Sequence, residues 1–300
     1  MPAMTAPRIF DRRLVRQRLG RALTAGYADF LLERAVEDAA ERLSAILRRF
    51  PLALDLGTPT AAAAGRLQSL VGVATVVRLT SARRQGEKGL AVIGDEEKLP
   101  FGPQSFDLVT SLLSLQAVND LPGSLAQIRQ SLKPDGFFLA CMLGGATLTE
   151  LRQSFTLAEA DLEGGASPRV APFADLRDLG HLLQRAGFAL PVTDVDTVVV
   201  RYADPFGLMR DLRAMGLSNA LADRRRTPLR RSTLLRTAEV YAQRFSDADG
   251  RVRATFELVW LSGWAPHESQ QKPLRPGSAQ TRLADALGAR EESAGDKAGH

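Results

Sequence analysis

Residues 52–57 read LALDLG, an apolar run that contains one aspartate and stops at a glycine. A short apolar run that ends at a turn residue is typical of a strand buried on both faces of a parallel sheet. The run follows Pro51, and the residue before a proline avoids helical geometry, so the helix predicted over 12–49 must end here. We therefore predict the first strand at 52–56, with Asp55 near its carboxyl end and Gly57 in the turn that follows.

Similar strand patterns recur on the carboxyl side of this run. Further strands are predicted at 73–77, 90–93, 107–111, 137–142, 192–202 and 255–261, and helices at 61–70, 121–132, 147–160, 175–186, 205–215 and 229–245. Strands that alternate with helices form βαβ units, whose parallel sheet has helices on both faces. A tight turn is predicted at 133–136, with Gly136 at positive φ. The pattern thus predicts an α/β fold with a doubly wound, mostly parallel sheet.

The same pattern divides the chain into four parts. We predict an N-terminal helical extension at 1–50, an α/β core at 51–146 and 187–287, helical cap elements at 147–186 and 205–250, and a disordered tail at 288–300.

Composition excludes several classes of protein. Of the 300 residues, 45% are hydrophobic, which excludes a disordered chain, and no run approaches the about 18 apolar residues of a membrane-spanning helix. One cysteine allows no internal disulfide, and with three histidines it leaves little material for a zinc site, so we predict no metal site. Residues 1–21 hold six arginines and one acid, which fits either an organellar presequence or a solvated basic helix; no apolar core of a secretory signal is present.

Several segments carry a family resemblance. LALDLG at 52–57, LPF at 99–101, FDLV at 106–109, NDLP at 119–122 and LKPDG at 132–136 resemble class I S-adenosylmethionine-dependent methyltransferases. EGGASPRVAPF at 163–173, DLGHLLQRAGF at 178–188 and GWAPHESQ at 263–270 resemble one branch, the hydroxylase-type assembly factors of respiratory complex I, which are relatives of the biotin-pathway carboxyl methyltransferase. The likeness runs from Phe10 to about Leu287.

The resemblance implies S-adenosylmethionine as cofactor, bound at the carboxyl ends of the first four strands. The cofactor-binding residues that it implies are Asp55, Gly57, Asp95, Glu96 and Leu115.

Three departures weaken this cofactor site. Pro59 and Ala61 replace the second and third glycines of the family's loop, and a proline has a fixed φ and no N–H to donate. Residues 77–81 lack the acid that would bind the ribose, and 115–117 read Leu-Gln-Ala where the family has Leu-His-Trp. We predict that the fold is kept, while binding of S-adenosylmethionine is weak or absent. The sequence identifies no catalytic residue.

The resemblance implies action on a protein partner, a respiratory complex I subunit, by arginine hydroxylation. Two alternatives stay open: a non-catalytic assembly scaffold on an inactive methyltransferase fold, and a conventional methyltransferase of a carrier-protein or small-molecule substrate. We expect a bacterial protein in the cytoplasm, either free or at the inner membrane surface, or a mitochondrial matrix protein in a eukaryote. Nucleic acid is not an expected partner.

Other chemically capable residues have ordinary structural explanations. His181 is interpreted as a partly buried helix residue, and Cys141 as a small buried hydrophobe. The pair at 267–268, His-Glu, fits either acid–base chemistry or a contact that fixes a loop. Gly144 with Gly145 could approach a ligand or turn the chain. The basic cluster at 224–226, with two further arginines at 230–231, is a solvated face or a dock for an acidic partner.

Overall fold

A computed structural model describes residues 8–81 and 88–270 of the chain. Residues up to Pro266 belong to one compact unit, and the second unit begins at His267. In the second unit the described residues form a turn, in which Gln270 N donates to His267 O at 3.2 Å. The predicted tail at 288–300, the end of the predicted core at 271–287 and residues 1–7 lie outside the described residues.

Seven strands form one sheet, as the sequence predicted. They are β1 (Leu52–Leu56), β2 (Thr75–Thr80), β3 (Leu90–Ile93), β4 (Phe106–Leu112), β5 (Leu132–Leu143), β6 (Ala189–Tyr202) and β7 (Val252–Trp264). Their order is β3-β2-β1-β4-β5-β7-β6. The first five strands run parallel, and β7 is antiparallel to both β5 and β6. The carboxyl ends of β1 to β4 therefore meet at one edge of the sheet, where α/β proteins bind their ligands.

Helices cover both faces of the sheet. They are α1 (Arg12–Ala25), α2 (Phe30–Ser44), α3 (Ala62–Gln68), α4 (Leu121–Ser131), α5 (Thr149–Glu163), α6 (Leu176–Arg185), α7 (Pro205–Ala214) and α8 (Arg231–Phe245). Side chains of β1 alternate between the faces: Ala53 joins the core with α2 and α8, and Leu54 joins the core with α4 and α6. A buried core thus lies on each face of the sheet, which confirms the predicted doubly wound α/β fold.

Helix α6 lies within the predicted cap segment 147–186 and packs on the sheet. Its Leu179 and Leu183 are fully buried in the same core as the strand residue Leu54. The division into core and cap stays a prediction. No helix in the described ranges has both the length and the apolar character needed to cross a bilayer.

The sequence predicts a helical stretch over 12–49 with Gly20 and Gly26 as possible interruptions. The structure has two helices there, α1 and α2: the chain turns at Gly26, which has φ +104°, and Gly20 lies within α1. Two other local predictions were wrong in detail. Strand β2 extends through Arg78 to Thr80 instead of ending at residue 77, because Arg78 lies opposite Asp55 in the sheet and binds it. The turn predicted at 133–136 lies within β5, next to a register shift between β4 and β5, and Asp135 rather than Gly136 has the positive φ, of 63°. Gly136 is needed for close approach, since a Cβ there would lie 2.9 Å from the carbonyl oxygen of Lys133.

Candidate functional site

The loops after β1, β3 and β4 converge at Gly57. This glycine has φ +71°, and its amide donates to Leu79 O of β2 at 2.9 Å. A Cβ at Gly57 would collide with Ser114 Oγ and lie 2.7 Å from Glu96 Oε1. Only glycine tolerates both that backbone geometry and that crowding. The predicted site residues Gly57 and Glu96 are therefore in direct proximity, with Ser114 between the loops.

A buried ion pair lies beneath this loop. Arg78 Nε is 3.2 Å from Asp55 Oδ2, and the Arg78 and Asp55 side chains are 4% and 0% exposed. Arg78 Nη2 also donates to the carbonyl oxygen of Thr58 at 3.1 Å. Strand β2, which lacks the family's acidic residue, thus supplies a positively charged arginine. Its guanidinium neutralises Asp55 and holds the loop that leads to Pro59.

Helix α1 covers the carboxyl ends of the strands. Arg12 donates to Asp95 Oδ1 at 2.8 Å and to Ala117 O at 3.1 Å, and it also bonds Glu96. One helical turn later, Arg16 bonds Asp95. The two arginines are four residues apart, so they lie on the same face of the helix. Both predicted carboxylates of the site, Asp95 and Glu96, are consequently engaged by α1.

The charge network shifts the pKa of Asp95. Burial raises that pKa, but hydrogen bonds from Arg12 and from the Glu97 amide, with the charges of Arg12 and Arg16, outweigh burial and lower it to about 2. Asp95 is therefore an ionised carboxylate at neutral pH and does not act as a general acid or base there.

The segment before α1 is fixed to two loops. Asp11 accepts from Leu14 N at 3.1 Å as the helix N-cap, and its own amide donates to Ala220 O at 2.9 Å. Phe10 N donates to Asn119 Oδ1 at 2.7 Å. These bonds hold the start of α1 over the carboxyl ends of the strands.

Two adjoining cavities lie under α1. The first, here called the strand-end cavity, has a volume of about 60 Å³ and is lined by Gly57, Pro59, Ser81, Glu96, Ser114 and Arg12, among others. The second, here called the apolar cavity, has a volume of about 360 Å³ and is lined by Leu148, Leu151, Phe155, Met209 and Leu212, among others. Val15, Gln116, Ala117, Leu143, Gly216 and Leu217 line both.

The strand-end cavity does not fit S-adenosylmethionine in this arrangement. Pockets for molecules of that size have volumes of about 300–1,000 Å³. Here the volume is about 60 Å³, and the carboxylate of Glu96 binds Arg12 instead of presenting itself to a ligand. Pro59 also lines the cavity without an N–H to donate. A ligand of that size needs α1 to move.

The predicted cofactor residues separate into two groups. Gly57 and Glu96 line the strand-end cavity, and Asp95 binds the helix that covers it. Asp55 and Leu115 line neither cavity: Asp55 is buried against Arg78, and Leu115 packs in the core with α4 and α6. A role for these residues in binding a cofactor stays a prediction.

Among the remaining candidates, Cys141, His181 and Gly144 line neither cavity. Cys141 is fully buried in β5, and burial raises the pKa of its thiol. His181 is exposed on α6 rather than partly buried. His267 Nδ1 lies 2.7 Å from Ser269 Oγ, a contact within the turn 267–270. Gly144 lies against Glu257 and Val259 of β7, where a Cβ would collide with both side chains. Within the described residues, no three His, Cys, Asp or Glu side chains are grouped to hold a metal ion.

Part of the basic cluster is neutralised. Arg224 lies 3.4 Å from Asp11 Oδ2, and Arg225 lies 3.0 Å from Glu163 Oε2. Arg230 Nη1 is 3.7 Å from the same Glu163 oxygen. Much of this cluster therefore joins segments of the fold.

Sequence reasoning missed Arg12, Arg16 and Arg78 as site residues. Each left a signal: the first two are spaced four apart at the start of a helix, and Arg78 interrupts an apolar strand. A charge in a buried strand needs a partner, and the strand register supplies Asp55 directly opposite.

Comparison with known proteins shows a family. Residues 54–140 match the model of a methyltransferase domain. The chain is 42% identical over 286 residues to the mitochondrial arginine-hydroxylase NDUFAF5 of Danio rerio, which covers 92% of this chain and 89% of that protein. It is 34% identical over 270 residues to the malonyl-[acyl-carrier protein] O-methyltransferase of Xylella fastidiosa (strain M23), which covers 86% of this chain and 89% of that protein.

A solved structure supports the fold. The YcgJ protein of Bacillus subtilis matches with a TM-score of 0.53 and 13% identity, over 78% of this chain and 99% of that one. At this identity the likeness shows the fold alone.

Proposed function

The chain belongs to the family that contains the mitochondrial arginine-hydroxylase NDUFAF5 and malonyl-[acyl-carrier protein] O-methyltransferase, and from this premise we propose that it hydroxylates an arginine of a protein partner during assembly of respiratory complex I. The observation that carries the proposal is the extent of the likeness. Identity of 42% spans 92% of the chain, so it includes α5 to α8 and not only the methyltransferase domain at 54–140. Helices α5 and α7 and the loops that follow them supply most of the residues that line the apolar cavity.

The apolar cavity supports a long side chain as substrate. The cavity has a volume of about 360 Å³, and Leu148, Leu151, Phe155 and Met209 give it an apolar lining for the methylene stem of an arginine. Hydroxylation converts C–H into C–OH, so the carbon loses two electrons. With molecular oxygen as oxidant, the second oxygen atom leaves as water and takes two protons and two electrons from a reductant. Both co-reactants come from outside the chain.

A basic groove beside the cavity supports an acidic protein partner. Arg18, Arg21, Arg210 and Arg213 line a groove of about 530 Å³ between α1 and α7, and Ser218 belongs both to this groove and to the apolar cavity. In the part of the chain that the structure describes, none of the four arginines forms a salt bridge; Arg18 donates to the carbonyl oxygen of Asn219, and the charge of Asp11 acts on it from a greater distance. Uncompensated positive charge attracts an acidic surface and does so less at high salt.

Charge reversal tests this groove. The double substitution of Arg210→Glu and Arg213→Glu should abolish salt-sensitive binding of poly-glutamate, the probe for an acidic surface. The double substitution of Arg177→Glu and Arg185→Glu, at exposed positions of α6, changes the net charge by the same amount and should leave binding unchanged. Equal loss in both proteins would mean that net charge alone, and not the groove, attracts the probe.

The location proposed for the protein follows from the partner. We expect it in the bacterial cytoplasm or at the inner membrane surface, or in the mitochondrial matrix of a eukaryote; the names of the arginine-hydroxylase relatives place those proteins in mitochondria.

Mass spectrometry of complex I subunits tests the hydroxylation. In a deletion strain, one arginine should lose the mass of an oxygen atom that it carries in the wild type. Complementation with wild-type protein or with Gly65→Ala should restore it, since a Cβ at Gly65 of α3 meets no atom within 4 Å. Gly57→Ala, which distorts the convergence of the loops, should not restore it. An unmodified arginine in the wild type would overturn the proposal.

A scaffold without catalysis is a second candidate, favoured by the closed strand-end cavity and Pro59. We propose Pro59→Gly with Ala61→Gly to distinguish it. A rise in binding of S-adenosylmethionine without any effect on complex I assembly favours a scaffold.

A conventional methyltransferase is the third candidate, favoured by the 34% identity to malonyl-[acyl-carrier protein] O-methyltransferase. Transfer of a labelled methyl group from S-adenosylmethionine to a panel of acyl-carrier substrates would support it, and the absence of transfer would exclude those substrates.

A further inference from the structure

Gln116 stands where the two cavities meet and has one unmatched polar atom. It belongs to the short 3₁₀ helix Leu115–Ala117 after β4, is 8% exposed and lines both cavities. Its Nε2 donates to the carbonyl oxygen of Leu113 at 2.8 Å. Its Oε1 is buried and accepts no hydrogen bond from any described residue.

The orientation of the Gln116 amide is fixed by its neighbour. The carbonyl oxygen of Leu113 can only accept, so the NH₂ group must face it and Oε1 must take the other side. Leu113 adopts φ +53°, the left-handed region that is unfavourable for a leucine, and its amide donates to Cys141 O at 2.7 Å. Unfavourable backbone geometry and unmatched buried acceptors both cost free energy, and both are concentrated at functional sites.

Two other polar side chains on the apolar cavity already have partners. Arg169 is held by Glu159, with Nε 2.7 Å from Glu159 Oε1. Asn219 Nδ2 donates to Pro168 O at 2.8 Å, and its Oδ1 accepts from Leu221 N at 3.1 Å. Gln116 Oε1 is, by contrast, a buried acceptor on this cavity that a ligand could match.

The adjoining strand-end cavity shows which donor fits this region. There the guanidinium of Arg12 is bound by Glu96, by Asp95 and by the carbonyl oxygen of Ala117, the residue next to Gln116. The acceptors at the junction therefore already bind one guanidinium.

We propose that Gln116 determines the specificity of the apolar cavity, by accepting a hydrogen bond at Oε1 from an N–H group at the tip of a substrate side chain with an apolar stem. A guanidinium on a methylene chain has this chemistry. The inference rests on the proposed function and names how its substrate is recognised. An ester or thioester, which has only acceptors, would leave Oε1 unmatched and bind more weakly.

Small probes test the proposal on the full chain. n-Butylguanidinium has N–H donors, and methyl pentanoate has a similar stem and none; their dissociation constants are measured by ligand-observed NMR. Wild-type protein should bind n-butylguanidinium more tightly than methyl pentanoate. Gln116→Met, which keeps the stem and removes the acceptor, should weaken binding of n-butylguanidinium about tenfold and leave methyl pentanoate unaffected. Gln184→Met, the same substitution at an exposed position of α6 that lines neither cavity, should change neither.

Equal affinity of the wild type for both probes, or unchanged binding of n-butylguanidinium by Gln116→Met, would overturn the proposal. The wild-type comparison decides even where Gln116→Met fails to fold. Failure of the proposed function is a separate result: it is an arginine without added oxygen in wild-type cells, whatever the probes bind.

Discussion

The buried pair of Asp55 and Arg78 gives the most quantitative prediction. Their side chains are 0% and 4% exposed, with Nε 3.2 Å from Oδ2. Arg78→Met keeps most of the stem but leaves the carboxylate without its ion-pair partner. Removal of one member of a buried pair costs about 3–5 kcal/mol, because a charge stays buried without compensation. For a domain of this size the melting temperature should fall by about 6–20 °C.

A double-mutant cycle measures the coupling between the two side chains. Asp55→Asn, Arg78→Met and the double variant are unfolded in urea and followed by circular dichroism. The double variant should be more stable than the sum of the single losses predicts, by about 0.5–3 kcal/mol. Arg66→Met is the exposed control: its Nε is 3.3 Å from Glu37 Oε2, with side chains 39% and 66% exposed. That loss should be below about 1 kcal/mol.

Additive losses in the cycle would refute the reasoning, since the two side chains would then act independently. A loss for Arg78→Met no larger than that for Arg66→Met would also refute it, because burial would have no effect on the cost of breaking the pair.

Four further predictions concern the helix and loop around the strand-end cavity and the thiol in β5. Arg12→Met should raise the affinity for S-adenosylmethionine about tenfold in calorimetric titration, because the charged hydrogen bonds that hold α1 over the strand ends are lost. Arg21→Met, on the same helix, should leave that affinity unchanged. If Arg12→Met also leaves it unchanged, α1 does not close the cavity. The pKa of Asp95 should be about 2 by carbon NMR titration and return to its ordinary range in Arg12→Met. Since it is lowered on folding, the contribution of Asp95 to stability is present above the ordinary carboxyl pKa and is lost as the pH falls through about 2; an ordinary pKa in the wild type would contradict this. Cys141 should react with a thiol reagent only after unfolding in urea, because burial raises its pKa, and rapid native reaction would show an open β5. Gly57→Ala should destabilise the protein by about 1–3 kcal/mol in thermal denaturation, because alanine disfavours φ +71° and its Cβ collides with the next loop; an unchanged melting temperature would show that the loops can separate.

The sheet could be predicted because its signals are local. The run at 52–57 and its counterparts combine apolar content with turn residues, and these decide each strand without reference to the rest of the chain. The bounds were less accurate where a distant partner decided them. Strand β2 continues past residue 77 because Asp55, 23 positions away, neutralises Arg78.

The candidate site was predictable only in part. Gly57 and Glu96 come together as the family resemblance implied, because both follow strands that end at the same edge. Closure by α1 was not foreseen, since it depends on contacts of Arg12 with Asp95 and Glu96, 83 and 84 residues away. Periodicity identifies a helix but not the surface on which it packs.

The position of α1 has a thermodynamic consequence. Val15 of this helix is part of the wall of both the strand-end cavity and the apolar cavity. A molecule that shifts α1 when it enters one cavity also changes the shape of the other cavity. Linkage then requires that a ligand in the strand-end cavity change the affinity of the apolar cavity for its ligand, and that the reverse effect have the same factor. Movement of this one helix would therefore couple binding in the two cavities.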